Sequence, residues 1–308
     1  MAVRRVSILP PGRLRERLRK LTVRLPLHVA IIGMCVIWSV PTVALFVSSF
    51  RDPTAFSRSG WWTAIFKPGE WTLGNYDSVI SARGMGDAFI NSLIISIPST
   101  LLVILVAAFA AYAFAWMRFP MRNSLFLIVV ALLVVPLQMT LIPVLRLYTA
   151  VTIDQNIPLL GGNIFGVGSY PGLWVAHTAY GIPFAVFLLR NFFGALPRDL
   201  FESAYLDGAS DILVFRRIVL PLSGPAIAAL AIFQFLWVWQ DLLVALVLLQ
   251  DPNLAPMTLQ ITNLVTSFGS QYQLLTAAAF ISIIIPLLIF FALQRYFVQG
   301  ILAGAVKG

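Results

Sequence analysis

The chain has 308 residues, of which 59% are hydrophobic and only 11% are charged, and its net charge is +9. A soluble domain averages about 25% charged residues, so this composition excludes an ordinary water-soluble globule and predicts a membrane protein. The single cysteine, Cys35, excludes an intramolecular disulfide and a cysteine-cluster metal site, and two histidines disfavour a histidine-built metal centre.

Basic residues dominate the first 24 positions, which contain eight Lys and Arg residues and one acidic residue, Glu16. Leucines recur there at helical spacing, at Leu14, Leu18, Leu21 and Leu25. This pattern predicts a short amphipathic helix on the inner leaflet of a membrane, and a mobile basic arm is the open alternative. The apolar core that follows exceeds 20 residues and lacks an A-x-A site, so we interpret it as an uncleaved first span and not as a signal peptide.

Six apolar segments are each long enough to cross a bilayer as a helix. A spanning helix needs about 20 predominantly apolar residues because the hydrocarbon core is about 30 Å thick. Hydropathy places the six spans near residues 28–50, 89–116, 124–145, 172–193, 222–249 and 275–297. We therefore expect an all-α membrane protein with six transmembrane helices, and Pro136 and Pro143 indicate that the third helix is bent.

The positive charges predict the orientation of these spans. Sixteen of the 21 Lys and Arg residues lie before span one, after spans two and four, or in the tail, and the other five lie on the opposite side. Because cytoplasmic loops carry the excess of basic residues, both termini are expected in the cytoplasm. Membrane lipid is thus the expected partner of the basic residues, and no nucleic acid is needed to explain them. The opposite side contains residues 51–87, whose Trp61, Trp62 and Trp71 are typical of a membrane interface.

The cytoplasmic loop after span four carries a dense pattern of helix signals. Asp199 followed by Glu202 predicts a capping box, so that a helix begins after Pro197 and runs toward Gly208. Gly208 provides the backbone freedom to end that helix, and Ser210 or Asp211 could cap a second one. These helix-start and helix-end signals predict a short, well-ordered helix–turn–helix. Such order in a loop indicates that another protein docks there.

This loop resembles the "EAA" loop of ABC importer permeases. The matching residues are Glu202, Ser203, Ala204, Gly208, Ile218, Leu220 and Pro221, with Ser203 in place of the family's first alanine. The C-terminal residues from Gln294 resemble the tail of the maltose/α-glucoside branch of carbohydrate permeases, and Trp239–Leu243 resembles a sugar-permease segment. The resemblance extends from about Asn91 to the end of the chain, whereas residues 1–85 match only loosely.

The resemblance implies a complete importer. Its parts would be a second homologous permease, two ATPase subunits and an extracytoplasmic sugar-binding protein, in the cell inner membrane. The loop helix would dock in a cleft of the ATPase, where Glu202 would pair with an arginine. The tail would also contact the ATPase, through Gly304, Ala305, Val306, Lys307 and Gly308. No G-x4-G-K-[ST] run is present, so we expect no enzyme and no cofactor in this chain, with ATP and Mg²⁺ used by the ATPase.

The implied domains are a basic segment at 1–27, a transmembrane permease domain at 28–298 with the coupling loop at 197–221, and a tail at 299–308. The implied substrate is an α-glucoside or small oligosaccharide such as maltose or trehalose. Aromatic and polar side chains that could contact a sugar within the spans are Gln138, Gln234, Trp237, Gln240 and Asp241. These five residues could equally pack against the second permease. For Asn91, Ser92, Ser96 and Ser99 in span two, and for the lone His177, helix packing is the favoured interpretation.

Other classes of membrane protein fit the pattern less well. A secondary transporter or channel would need ion-coupling charges within the spans, where only Asp241 qualifies. An intramembrane enzyme would need a catalytic pair, whereas His177 and Asp241 are each alone of their kind there. An ABC permease for amino acids or peptides stays open, although the tail argues against it.

Overall fold

The structure is a computed structural model that describes residues 11–82, 84–153, 166–268 and 271–305. The regular secondary structure of these residues is helical, and their one isolated bridge pairs Arg51 with Trp71. The prediction of an all-α protein is therefore confirmed.

The helices follow one another with short connections. In chain order the α-helices are α1 (Pro11–Ser49), α2 (Pro53–Arg58), α3 (Gly74–Ala82), α4 (Met85–Trp116), α5 (Arg122–Ala131), α6 (Leu137–Ile153), α7 (Tyr170–Phe193), α8 (Arg198–Leu206), α9 (Asp211–Val214), α10 (Leu220–Leu222), α11 (Gly224–Trp239), α12 (Leu243–Leu248), α13 (Met257–Phe268) and α14 (Tyr272–Ala305). A π-helical turn, Phe215–Val219, joins α9 to α10, and 3-10 turns lie at Trp61–Phe66, Pro68–Glu70, Leu132–Val134 and Pro252–Leu254.

Four of the six predicted spans are continuous helices. Arg24–Ser49 within α1, Met85–Trp116, Tyr170–Phe193 and Tyr272–Ala292 within α14 are long and apolar enough to cross a bilayer. They correspond to predicted spans one, two, four and six, with boundaries that agree within a few residues.

The other two spans are broken. The segment Arg122–Val134 meets Leu137–Ala150 at 104°, and Asp211–Leu222 meets Gly224–Trp239 at 75°. The third span is therefore bent as expected, because Pro136 lacks an N–H and disfavours helical geometry at the preceding residue. The prediction of one helix over 222–249 is wrong, because α11 ends at Trp239 and a separate short helix, α12, begins at Leu243.

Helix α4 packs against α7 and α11, and α14 packs against α11 and α1. Tryptophans tie α4 to α7 at both ends: Trp174 Nε1 donates to the carbonyl of Ile94 (2.8 Å), and Trp116 Nε1 donates to that of Phe193 (3.0 Å). The two helices are thus parallel. An apolar 18-residue stretch within Arg24–Ser49 of α1 has none of its residues buried, whereas Val47, Ser48 and Ser49 at the end of the helix are buried, so most of span one is peripheral.

Both ends of the described chain are helical. Residues 11–27 continue into span one without a break as part of α1, and residues 1–10 lie outside the described residues. Helix α14 passes residue 299 without a break and includes Gly304 and Ala305. Val306, Lys307 and Gly308 lie outside the described residues.

Candidate functional site

The loop after span four forms a hairpin of short helices, which we call the loop hairpin (α8 to α10, Arg198–Leu222). Pro197, with φ −60°, stands directly before α8, and no side chain caps this helix end. The expected capping box is therefore wrong. Asp199 already belongs to the first helical turn, where a carboxylate interacts favourably with the helix dipole. Its backbone carbonyl accepts a hydrogen bond from Ser203 Oγ at 2.8 Å.

The turn between α8 and α9 follows the sequence prediction. Gly208 has φ +80°, a left-handed conformation that favours glycine. The N–H of Ala209 donates to the carbonyl of Ala204 at 2.9 Å, which closes the end of α8. Of the two predicted caps for the second helix, Ser210 is the one used: its Oγ accepts from the N–H of Leu213 at 3.4 Å.

One aromatic side chain anchors the loop hairpin to the membrane helices. Phe201 is 2% exposed and its ring stacks on that of Trp116, with 3.5 Å between centroids and 16° between planes. Because Trp116 is itself bonded to the carbonyl of Phe193, α8 is joined to the ends of both α4 and α7. Four small or aliphatic residues pack against the same buried cluster: Ala204, Ala209, Ile218 and Leu220. Pro221 follows in α10, within its first turn.

A polar network fixes the two arms of the loop hairpin relative to each other. The hydroxyl of Tyr205 on α8 donates to Asp211 Oδ1 on α9 at 2.7 Å and lies 3.5 Å from the hydroxyl of Tyr112 on α4. Desolvation, followed by the hydrogen bonds to Tyr112 and Asp211, raises the pKa of Tyr205 above its ordinary value. The phenol therefore keeps its proton at neutral pH and remains the donor to the carboxylate.

The opposite face of the loop hairpin carries an acid beside apolar groups. Glu202 is exposed and forms no salt bridge with any residue that the structure describes. Leu206 is 88% exposed and Ile212 is 68% exposed. An uncompensated carboxylate next to exposed aliphatic side chains has the composition of a protein-docking surface.

The five candidate substrate-path residues have very different environments. Gln138 at the start of α6 is exposed, as are Trp237 and Gln240. Gln234 is buried on α11, 1% exposed, and its amide lies against Gly181 of α7. Within the described part of the chain, no hydrogen bond or ion pair joins Gln138 to the other four residues.

Asp241 binds the N–H groups at the start of a helix. This role was not expected, because the sequence placed Asp241 inside a continuous span. It follows the end of α11, and its Oδ2 accepts from the N–H groups of Val244 (3.1 Å) and Ala245 (3.2 Å), which begin α12. The same oxygen lies 3.8 Å from Nε2 of the buried His177. The carboxylate therefore satisfies orphan donors at the start of a helix while facing α7.

Two polar residues of span two hold the loop before α13. The amide nitrogen of Asn91 donates to the carbonyls of Asn253 (2.8 Å) and Ala255 (3.1 Å), and its oxygen accepts from the hydroxyl of Tyr170 (2.6 Å). Ser92 Oγ accepts from the N–H of Met257 at 2.8 Å. Ser96 and Ser99 are buried without a hydrogen-bond partner among the described residues, in keeping with the packing interpretation.

Sequence reasoning missed a buried arginine outside the spans. Arg51 is 1% exposed and donates to the carbonyls of Ser59 and Ala55 at 2.7 Å each, and to Glu70 Oε2 at 3.1 Å. Its partners lie up to 19 residues away, at no regular spacing, so the sequence offered no local signal for this network. The network orders part of the segment 51–87, for which the sequence had indicated only tryptophans at a membrane interface.

The fold matches solved ABC transporters. A chain from the crystal structure of a bacterial ABC transporter involved in the import of alginate aligns with a TM-score of 0.72 at 16% identity, covering 95% of this chain and 100% of that one. A second alginate transporter structure, in complex with a pentasaccharide-bound periplasmic protein, aligns with a TM-score of 0.62 at 17% identity, covering 90% of this chain and 95% of that one. The chain therefore has the fold of these transporter chains.

The family is shown by sequence. The profile of the "Binding-protein-dependent transport system inner membrane component" family matches residues 88–303, so the chain belongs to this family of multi-pass inner-membrane proteins. The osmoprotective compounds uptake permease protein GgtD of Synechocystis sp. is 54% identical over 92% of each chain. The alpha-glucoside transport system permease protein AglG of Rhizobium meliloti is 40% identical over 91% of this chain and 96% of its own.

Proposed function

We propose that the chain is a permease subunit of an ATP-driven importer for an α-glucoside or small oligosaccharide such as maltose or trehalose. The similarity to AglG over nearly the full length of both chains supports this substrate class. GgtD is likewise named for the uptake of solutes, as an osmoprotective compounds uptake permease. Amino acids or peptides are the alternative substrates.

The assembly that we propose contains this chain, a second homologous permease, two ATPase subunits and an extracytoplasmic sugar-binding protein. Both termini lie in the cytoplasm, so that the loop hairpin faces the ATPase, and residues 51–82 face outside. ATP and Mg²⁺ are bound and used by the ATPase subunits. The positive-inside distribution of Lys and Arg supports this orientation.

The observation that carries the coupling proposal is the anchored loop hairpin with its free acidic face. Phe201 joins α8 to the ends of α4 and α7, while Glu202 is exposed and forms no salt bridge with a described residue. A rigid element of this kind transmits movement of a docked subunit to the membrane helices. We propose that Glu202 pairs with an arginine of the ATPase, and that Gly304 to Gly308 of the tail provide a further contact.

The experiment is sugar uptake and ATP hydrolysis by the complete transporter in proteoliposomes. Glu202→Lys replaces the proposed ion pair with a like-charge contact, so we expect uptake to be lost while the variant keeps the expression level and melting temperature of the wild type. Asp87→Lys makes the same charge change at an exposed position of α4 on the proposed outer side, and it should transport normally. Normal uptake by Glu202→Lys would refute this coupling site.

A substrate panel tests the solute class independently. Stimulation of ATP hydrolysis is measured with maltose, trehalose, sucrose, glutamate and a tripeptide, each with the binding protein present. Stimulation by a glucoside and not by glutamate or the tripeptide supports the proposal, and the opposite pattern would establish the amino-acid or peptide alternative.

A further inference from the structure

A cavity of about 590 Å³ with both polar and apolar lining residues lies between residues 52–78 and the start of α14. Its walls include Asp52 and Phe56 from the segment after α1, Asn75 and Ser78 from α3, and Gln273 from α14. Small-molecule sites typically occupy about 300–1,000 Å³, so the volume suits a molecule of one or two sugar rings. The cavity is separate from the five candidate substrate-path residues, none of which lines it.

Two nearly buried amides leave hydrogen-bonding capacity at this cavity. Gln273 is 5% exposed, and its side-chain amide has no hydrogen-bond partner among the described residues. Asn75 is 3% exposed and commits its amide nitrogen to the carbonyls of Ser49 (2.9 Å) and Arg51 (2.8 Å). These bonds leave the carbonyl oxygen of Asn75 as an acceptor. Polar groups at such burial normally have partners, which a ligand in the cavity would provide.

The charge of the cavity disfavours an anionic ligand. Asp52 is the only charged residue among the described lining residues, so an anionic ligand would find no counter-charge. One oxygen of Asp52 accepts from the N–H of Thr54 (2.9 Å) and from its hydroxyl (2.5 Å), and the carboxylate also interacts with the N–H of Ala55. A carboxylate, two amides and hydroxyls beside the ring of Phe56 combine the hydrogen-bonding and apolar groups that a polyhydroxylated ring requires.

The wall that carries Asp52 is rigid before any ligand arrives. The neighbouring Arg51 is buried and is bonded to Ser59, Ala55 and Glu70. A binding site whose walls are already ordered loses less conformational entropy when a ligand binds. The network of Arg51 thereby gives the cavity a fixed shape.

We infer that this cavity is an outer binding site for a neutral polyhydroxylated molecule, occupied by the sugar before it passes between the membrane helices. The inference rests on the proposed function, because it assigns a second site to the same substrate. It is independent of the loop hairpin and of the five candidate substrate-path residues.

The test measures protection of a cysteine in the cavity. Ser57 lines the cavity, so Ser57→Cys places a reactive thiol there, and Cys35→Ser removes the native cysteine of this chain. The rate at which a membrane-impermeant maleimide modifies the new cysteine is measured with the complete transporter in nanodiscs, without the binding protein. Maltose and trehalose are the probes, and glutamate is the charged control. At a sugar concentration of about four times Kd, modification should slow about fivefold, because the rate falls by the factor 1 + [L]/Kd.

Two further variants separate binding from a general effect of sugar. Gln273→Leu removes the unpaired amide at similar volume, and Kd should rise about fivefold or more because one hydrogen bond is lost. Ser81→Ala lies on the same α3 helix but outside the cavity, where Ser81 Oγ donates to the backbone of Asp77, and it should leave protection unchanged. Equal modification rates of all variants without sugar show that the segment is folded.

Sugar uptake by the same transporter, with the binding protein added, distinguishes the two proposals. Uptake of maltose or trehalose without any protection would overturn the outer site and leave the proposed function intact. Unchanged protection in Gln273→Leu would also overturn the outer site. Protection by the unliganded binding protein alone would overturn it as well, because the cavity would then be a protein-docking surface. Protection without uptake would support the cavity and refute the proposed function.

Discussion

The contact between Gly181 on α7 and Gln234 on α11 gives a sharp prediction about the core. A Cβ atom added to Gly181 would lie 2.7 Å from Nε2, 2.8 Å from Oε1 and 2.9 Å from Cδ of Gln234. Ordinary contacts begin at 3.4 Å, so in Gly181→Ala the amide must move by about 0.7 Å. Gln234 is 1% exposed, and a close-packed interior does not provide that space freely.

Overpacking of this kind costs about 1–3 kcal/mol. The two polar atoms of the Gln234 amide have no hydrogen-bond partner among the described residues, so its displacement breaks no hydrogen bond. We therefore expect Gly181→Ala to cost about 1–2 kcal/mol, the lower part of that range. Gln234→Ala removes the atoms that would clash. The double variant should therefore be more stable than the sum of the single effects predicts, by a coupling energy of about 1–2 kcal/mol.

The assay is the melting temperature of the purified transporter, followed by fluorescence-detected size exclusion. For a domain of about 150–250 residues, 1 kcal/mol shifts the melting temperature by roughly 2–4 °C. Gly33→Ala is the matched control, because Gly33 lies within the first span and has nothing within 4 Å of its added Cβ. The reasoning is refuted if Gly181→Ala is tolerated as well as Gly33→Ala, or if the double variant is simply additive.

Three further predictions concern single polar groups. Arg51→Met removes the buried partner of Glu70, which keeps Lys67 at 3.4 Å, so we expect a loss of about 3 kcal/mol, the lower end for a broken buried pair, that appears as rapid limited proteolysis of residues 51–82; Arg51→Lys should be less affected. Asp241→Ala removes the acceptor at the start of α12 and should cost about 1–2 kcal/mol, measured as a lower melting temperature, whereas Asp241→Asn should cost less. Tyr205→Phe removes the donor to Asp211, and because Tyr205 is 43% exposed we expect only about 0.5–1.5 kcal/mol, seen as faster hydrogen exchange in α8 and α9.

The spans could be predicted because lipid imposes a simple requirement on composition. An apolar stretch of sufficient length must be helical, since its backbone groups find no other partners in hydrocarbon. This argument located four spans, but it is silent about where a helix breaks. The break after Trp239 depends on Asp241, whose carboxylate binds backbone N–H groups three and four residues ahead. Hydropathy counts Asp241 as one charge in an apolar run, so the short helix after it was missed.

In the loop hairpin, too, features that depend on neighbouring residues could be predicted from the sequence, whereas a contact between distant residues could not. Gly208 and Ser210 act on backbone atoms within a few residues, and their sequence signals were sufficient. Asp199 and Glu202 have the spacing of a capping box, but α8 begins at Arg198, directly after Pro197, so Asp199 lies inside the first turn and not at the N-cap position. The stacking of Phe201 on Trp116 joins residues 85 positions apart, and no local pattern could have revealed it.

The same contacts suggest how the molecule divides into moving parts. Trp116 binds Phe193 at one end of the α4–α7 pair, and Trp174 binds Ile94 toward the other, so the two parallel helices are tied at two heights. The stacked Phe201 adds α8 to this unit. The bends of 104° and 75° lie outside it, at Pro136 and at Ser223. A force on α8 should therefore move α4 and α7 as one body, and the chain should flex where the third and fifth spans are already broken.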